Sequence, residues 1–181
     1  TRHGTGCYTS QAAMKRWNRK NELLADAAER MSVYAHLLGG QQYPREMLRD
    51  TWIRFLWHQF HDDLTGTSIP EAYEYSWNDE ILCQNRFAAI LTKAVQTASA
   101  VFDTRVEGVP VIVYNPNSVP GPGNVEAVVH IPGFDSKYIR AFNGKMENPC
   151  DIVEKYKDSV RIRFNAWGPQ VGLALYDMRP S

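Results

Sequence analysis

The strongest constraint on the fold is a change of period near residue 105. Before it, apolar and small residues recur at steps of three and four, as along one face of an α-helix. After it, short β-branched runs alternate with turn residues. Met14, Trp17, Leu24, Ala28, Met31, Ala35 and Leu38 mark a first helical stripe, with Asn21 in its one polar slot. Ser10 is the expected N-cap and Gly39-Gly40 the stop. Pro44 suits the first turn of a second helix, whose stripe runs through Leu48, Trp52, Phe55 and Leu56 and ends near His61. Thr65-Gly66-Thr67 breaks the chain, and Ser68-Ile69-Pro70-Glu71 has capping-box spacing. Ile81, Gln84, Ala88, Leu91, Val95, Ala98 and Phe102 then mark a third helix. Aromatics on these stripes, Trp17 and Trp52 included, read as core packing.

Candidate strands follow at 109–114, 125–131, 138–142, 153–156, 160–164 and 171–176. Asn115-Pro116-Asn117-Ser118, Pro120-Gly121-Pro122-Gly123, Pro132-Gly133 and Asn143-Gly144 separate them as turns. The expected fold is α+β: a three-helix bundle over residues 1–104, then the start of an antiparallel β-sandwich over 105–181.

Twenty basic residues balance twenty acidic ones, so charge makes no case for nucleic acid or an anionic membrane as partner. No apolar run approaches the roughly 18 residues of a membrane span. Thr1-Arg2-His3-Gly4 has no apolar targeting segment behind it, and no Met precedes it, so the expectation is a piece of a longer polypeptide whose compartment stays open. Cys7, Cys83 and Cys150 are far apart, which argues against a structural zinc knot and leans towards a reducing compartment.

One stretch carries candidate chemistry: Gln59-Phe60-His61-Asp62-Asp63-Leu64-Thr65-Gly66-Thr67-Ser68-Ile69-Pro70. It places an imidazole and two carboxylates at a helix end. Neutral imidazole is a good zinc ligand, and carboxylates bind metal, move protons or hydrogen-bond sugar hydroxyls. The same His61 also suits a helix-end histidine facing the terminal carbonyls. A zinc site needs about four ligands, and no other histidine has ligand spacing: His58 lies within the expected helix, and His3, His36 and His130 are remote.

The His-Asp…Thr-Gly-Thr segment resembles that of glycoside hydrolase family 38 α-mannosidases. Colinear segments agree. Gly6-Cys7-Tyr8-Thr9-Ser10-Gln11, with Lys15-Arg16 and Asn18-Arg19, resembles the lead-in to that family's helical middle domain. Val113-Tyr114-Asn115-Pro116 resembles the start of its β domain, and Trp167-Gly168-Pro169-Gln170-Val171-Gly172 a later turn. The resemblance implies part of a zinc-dependent retaining α-mannosidase acting on terminal mannosides of glycans. It makes His61 a zinc ligand and Asp62 a contact for substrate hydroxyls. Phe60 stands where many members carry a second, non-ligating histidine. Asp63 receives no role from the resemblance and reads as a solvated turn carboxylate. The family's N-terminal α/β domain, which supplies the other ligands, the nucleophile and the general acid, is not in this sequence. Adjacent carboxylates diverge, so Asp62 and Asp63 do not make the flanking pair of a retaining glycosidase. No catalytic residue is therefore assigned here, and the fragment is expected to be inactive alone. Three rivals stay open: a non-catalytic carbohydrate-binding module, with Trp77, Trp167 and Tyr8 near turns; an interaction protein using the bundle as a docking surface; and a degenerate, inactive family member.

Overall fold

The computed structural model describes residues 4–181, so His3 lies outside it. The chain forms two compact units, one ending at Val101 and the other spanning Phe102–Ser181.

The first unit holds α1 (Ala12–Gly39), α2 (Arg45–Trp57) and α3 (Pro70–Ser99). Small side chains on facing stripes, Ala25, Ala28 and Ala35 on α1 and Ala94 and Ala98 on α3, let the two long helices pack closely. Where α2 joins them, Phe55, Phe87 and Trp52 make an aromatic cluster with ring centroids 5.7 to 6.4 Å apart. Leu48, Cys83 and Ile90 complete this core. Trp17 is half-buried and meets Trp77 edge-on at 6.0 Å.

Several expected details differ. The third stripe is rotated by one position: Tyr73, Ser76, Glu80, Cys83, Phe87, Ile90 and Ala94 are buried, while Ile81 is exposed. Only Ala98 belongs to both series. Placing Phe87 against Phe55 turns the helix, and the larger rings outweigh the aliphatic row. Ser10 does not cap α1. Gln11 holds that position in a left-handed conformation (φ 49°), and the Ser10 hydroxyl donates instead to the Gly66 carbonyl at 2.9 Å. Gly40 ends α1 at φ 69°, where glycine is favoured. α2 stops at Trp57, four residues short of His61. Ile69 stands at the start of α3 without a side-chain cap, because the Ser68 hydroxyl donates to the Asp62 carbonyl.

The second unit contains β1 (Val109–Asn115), β2 (Gly121–His130), β3 (Ile139–Asn143), β4 (Met146–Asn148), β5 (Cys150–Lys155), β6 (Ser159–Gly168) and β7 (Gly172–Pro180). They form two antiparallel sheets, ordered β1-β7-β3-β4 and β2-β6-β5. Alternate residues of β6 (Val160, Ile162, Phe164, Ala166) share one core with Ala141, Ala174, Tyr176 and Met178 of the other sheet. This is the sheet-on-sheet packing of a partial sandwich. β4 has no counterpart in the expected strands. Its Met-Glu-Asn sequence carries no alternation, and it pairs because Asn143-Gly144 turns the chain back, with Gly144 at φ 58°.

The polar slot of α1 has a partner. Asn21 is fully buried, and its amide donates to the side chain of Glu80, also fully buried, and to the Glu80 carbonyl at 3.0 Å. Asn21 Oδ1 and Glu80 Oε1 have no hydrogen-bond partner among the described residues. A proton on Glu80 supplies the donor that an ionised carboxylate lacks. Burial pushes this carboxyl from its ordinary 4.5 up to about 7; the Asn21 hydrogen bond and the His58 charge pull it down, and Asp63 adds to the rise.

The folded value lies above the unfolded one, so the folded state holds the extra proton between them. The stability of the neutral form is intact below about pH 4.5 and lost as pH rises through about 7. Glu80→Gln, which offers the same donor and acceptor as the neutral acid, should gain on the wild type by up to about 3 kcal/mol across that window. Urea unfolding at acid and mildly alkaline pH checks this through tryptophan fluorescence, since four of the five Trp precede Val101. A difference that does not change with pH would contradict it.

Candidate functional site

The segment between α2 and α3 is a compact run of turns held mainly by its own backbone. His58 N–H donates to the Phe55 carbonyl, Asp63 N–H to that of Phe60, and Gly66 N–H to that of Asp63. The Asp62 carbonyl accepts from Thr67 N–H at 3.3 Å and from Ser68 N–H at 3.0 Å. From α3 the Tyr73 hydroxyl reaches the same turn, 3.2 Å from the Asp62 carbonyl and 3.1 Å from that of Asp63. A tyrosine buried with its hydroxyl on two carbonyls fixes backbone rather than side chain.

Gly66 is where the loop meets the segment preceding α1. Its φ is +86°, and a Cβ there would lie 2.6 Å from Ser10 Oγ and 2.9 Å from the Ser10 carbonyl oxygen. Gln59 adds a second tie, donating to Asn18 Oδ1 at 3.0 Å. The Thr-Gly-Thr element therefore needs its glycine for both conformation and space.

The three ionisable residues of the motif have different surroundings. The His61 side chain is 76 % exposed. Its Nε2 lies 3.5 Å from Asp62 Oδ2, and its ring centroid is 4.2 Å from that of Phe60. Asp62 is exposed too, and its Oδ1 accepts from the Thr67 hydroxyl at 3.2 Å. Asp63, expected in solvent, is buried. Its Oδ2 is 2.6 Å from His58 Nδ1, and its Oδ1 accepts from the Ser76 hydroxyl at 2.8 Å.

His58 caps α2 and is itself buried. Its second ring nitrogen lies 3.1 Å from Asp79 Oδ2, and Arg54 donates to Asp79 Oδ1 at 2.6 Å. Burial opposes ionisation of Asp79, but hydrogen bonds from His58 and Arg54, and their charges, outweigh it and hold the carboxyl below its ordinary value. A polar chain of Arg54, Asp79, His58, Asp63 and Ser76 thus runs beneath the turn. Sequence reading missed it; the visible clue was the five-residue step from His58 to Asp63, but Ser76 and Asp79 depend on the rotation of α3.

A cleft of about 740 Å³ opens beside this chain. His58, Asp63 and Asp79 line it together with the exposed aromatics Trp57, Phe60 and Tyr75; neither His61 nor Asp62 does. Among the described residues no group of three or more His, Cys, Asp or Glu is arranged to hold a metal ion. The exposed His61 imidazole can give one nitrogen to a metal ion, with Asp62 exposed beside it, which is a share of a coordination set and not a whole one. No helix among these residues is long and apolar enough to cross a membrane.

Comparison with known proteins gives a consistent result. Residues 3–105 match the family described as alpha mannosidase middle domain. Over 70 residues the chain is 43 % identical to alpha-mannosidase G of Dictyostelium discoideum, a match covering 38 % of this chain and 6 % of that protein. Two solved structures from Enterococcus faecalis have the same fold. One, an alpha-mannosidase, aligns with 97 % of this chain at a TM-score of 0.74 and 15 % identity; the other, a protein in glycosyl hydrolase family 38, with 99 % at 0.75 and 14 %. The chain spans 24 % and 26 % of those two structures.

Gly66→Ala should destabilise the chain by more than about 1 kcal/mol, because alanine meets both an unfavourable φ and the Ser10 backbone. Urea unfolding of the purified chain measures it, and wild-type stability would show that the Gly66–Ser10 contact is not tight.

Proposed function

We propose that this chain, which belongs to the alpha mannosidase middle domain family, forms one wall of the active site of a longer, zinc-dependent retaining α-mannosidase. The observation that carries the proposal is the placing of His61 and Asp62: adjacent, solvent-facing, and on a turn pinned from below. His61 would give one nitrogen to the metal, and Asp62 would accept hydrogen bonds from sugar hydroxyls. When bound, zinc would hold vicinal hydroxyls of a terminal mannoside and offset charge developing at the sugar ring.

The remaining steps belong to other parts of the polypeptide. A retaining glycosidase uses two carboxyl groups about 5–5.5 Å apart across the scissile bond. Here the neighbouring carboxylates diverge, Asp62 outward and Asp63 inward to His58 and Ser76. Nucleophile, general acid and the other metal ligands would come from the N-terminal α/β domain. The 181-residue chain is then a positioning and binding element and not a complete catalyst.

The alternative is a carbohydrate-binding module, which the exposed Trp57 and Tyr75 beside the cleft favour. Assaying the purified chain with an aryl α-mannoside and added zinc separates the readings: the proposal expects neither turnover nor saturable quenching of tryptophan fluorescence. Turnover would overturn the fragment reading, and saturable quenching would favour a module.

In the full-length parent, His61→Ala should remove zinc and activity together, and Asp62→Asn should lower turnover while leaving zinc content near wild type. Metal quantification beside initial rates reads both. Full zinc occupancy in His61→Ala would end the ligand assignment.

A further inference from the structure

His61 and Asp62 take part in the proposed site, yet the residue that follows them is turned into the protein. We propose that Asp63 is a positioning residue, its carboxylate anchored by His58 and Ser76 so that the two preceding side chains face outward to metal and sugar. The proposal rests on the zinc reading above and names what holds that site in place.

The geometry argues for an anchor. A buried carboxylate is costly unless paired and hydrogen-bonded, and both oxygens of Asp63 are engaged, by His58 Nδ1 at 2.6 Å and the Ser76 hydroxyl at 2.8 Å. The two partners come from different helices, His58 from the end of α2 and Ser76 from α3. Asp79 at 3.1 Å from His58 Nε2, itself paired with Arg54, ties the ring to α3 a second time. The Asp63 side chain therefore fastens the turn to both flanking helices.

The consequence for the rim is steric. Neighbouring side chains on this turn diverge, so an inward Asp63 forces Asp62 outward. Among the described residues the His61 ring touches only Asp62 and Phe60 in polar or ring contacts. Both neighbours lie next to it in the chain, so the position of the imidazole follows that of the turn backbone. That backbone is fixed by Asp63 through its side chain and by Tyr73 through the carbonyls of Asp62 and Asp63. Groups that orient a metal ligand without touching the ion typically change metal affinity or activity by about 10- to 100-fold when removed.

The experiment uses the full-length parent and measures zinc affinity by chelator competition, together with kcat, KM and thermal unfolding. Asp63→Ala is expected to weaken zinc binding by about 10- to 100-fold. A core control, Phe87→Leu, is expected to lower the melting temperature and keep wild-type zinc affinity. If Asp63→Ala does not fold, Ser76→Ala replaces it, removing one of the two anchoring bonds, with a several-fold weakening expected. Wild-type zinc affinity in the folded variant would overturn the proposal, as would an equal loss in the core control, which would make the effect one of stability. His61→Ala separates the levels. If it loses zinc while Asp63→Ala keeps it, positioning alone fails; if His61→Ala keeps zinc, the ligand reading fails and positioning with it.

Discussion

The contact between Asp63 and His58 ties the turn between α2 and α3 to the end of the helix before it. It takes the one carboxylate of the motif that does not face solvent and sets it against the capping residue of α2, with Ser76 of α3 closing the other side. On the outer side Asp62 and His61 are exposed, with the Thr67 hydroxyl on Asp62 and the Phe60 ring beside His61. Ser10 and Gly66 bring the segment before α1 into the same body, so the hydroxyl expected to cap a helix holds the loop instead. Local capping and loop fixation compete for the same side chains, and loop fixation takes Ser10 and Ser68 alike.

The fold could be read from period alone, because the step from 3.6 to 2.0 is the signal that distinguishes a bundle from a sheet. Rotation about a helix axis was harder to read. α3 carries two apolar series one position apart, and both satisfy the spacing. Which one faces inward depends on Phe87 meeting Phe55 and Trp52, contacts far apart in sequence. Glu80 and Ser76 lie on the buried series, where polar residues argue against burial until their partners Asn21 and Asp63 are known. β4 escaped notice for a related reason: three residues cannot show an alternation.

The candidate site divides along the same line. His61 and Asp62 stood out because they are side by side in a recognisable segment, and the comparisons establish the middle-domain family for residues 3–105. Asp63 and His58 did not, since a charged residue in a turn reads as solvated and a histidine within an expected helix has no ligand spacing. Their roles appear only when α2 and α3 are placed together. The chain spans about a quarter of each of the two solved structures that share its fold.

On the proposed reading, His61 is a metal ligand whose coordination is completed by donors from elsewhere in the polypeptide. A crystal structure of the full-length parent, with anomalous diffraction recorded on both sides of the zinc edge, tests it most directly. One zinc peak is expected about 2.0–2.1 Å from a His61 ring nitrogen, the ordinary zinc–imidazole distance. A zinc peak bound entirely by other residues, with the His61 ring turned away from it, would contradict it.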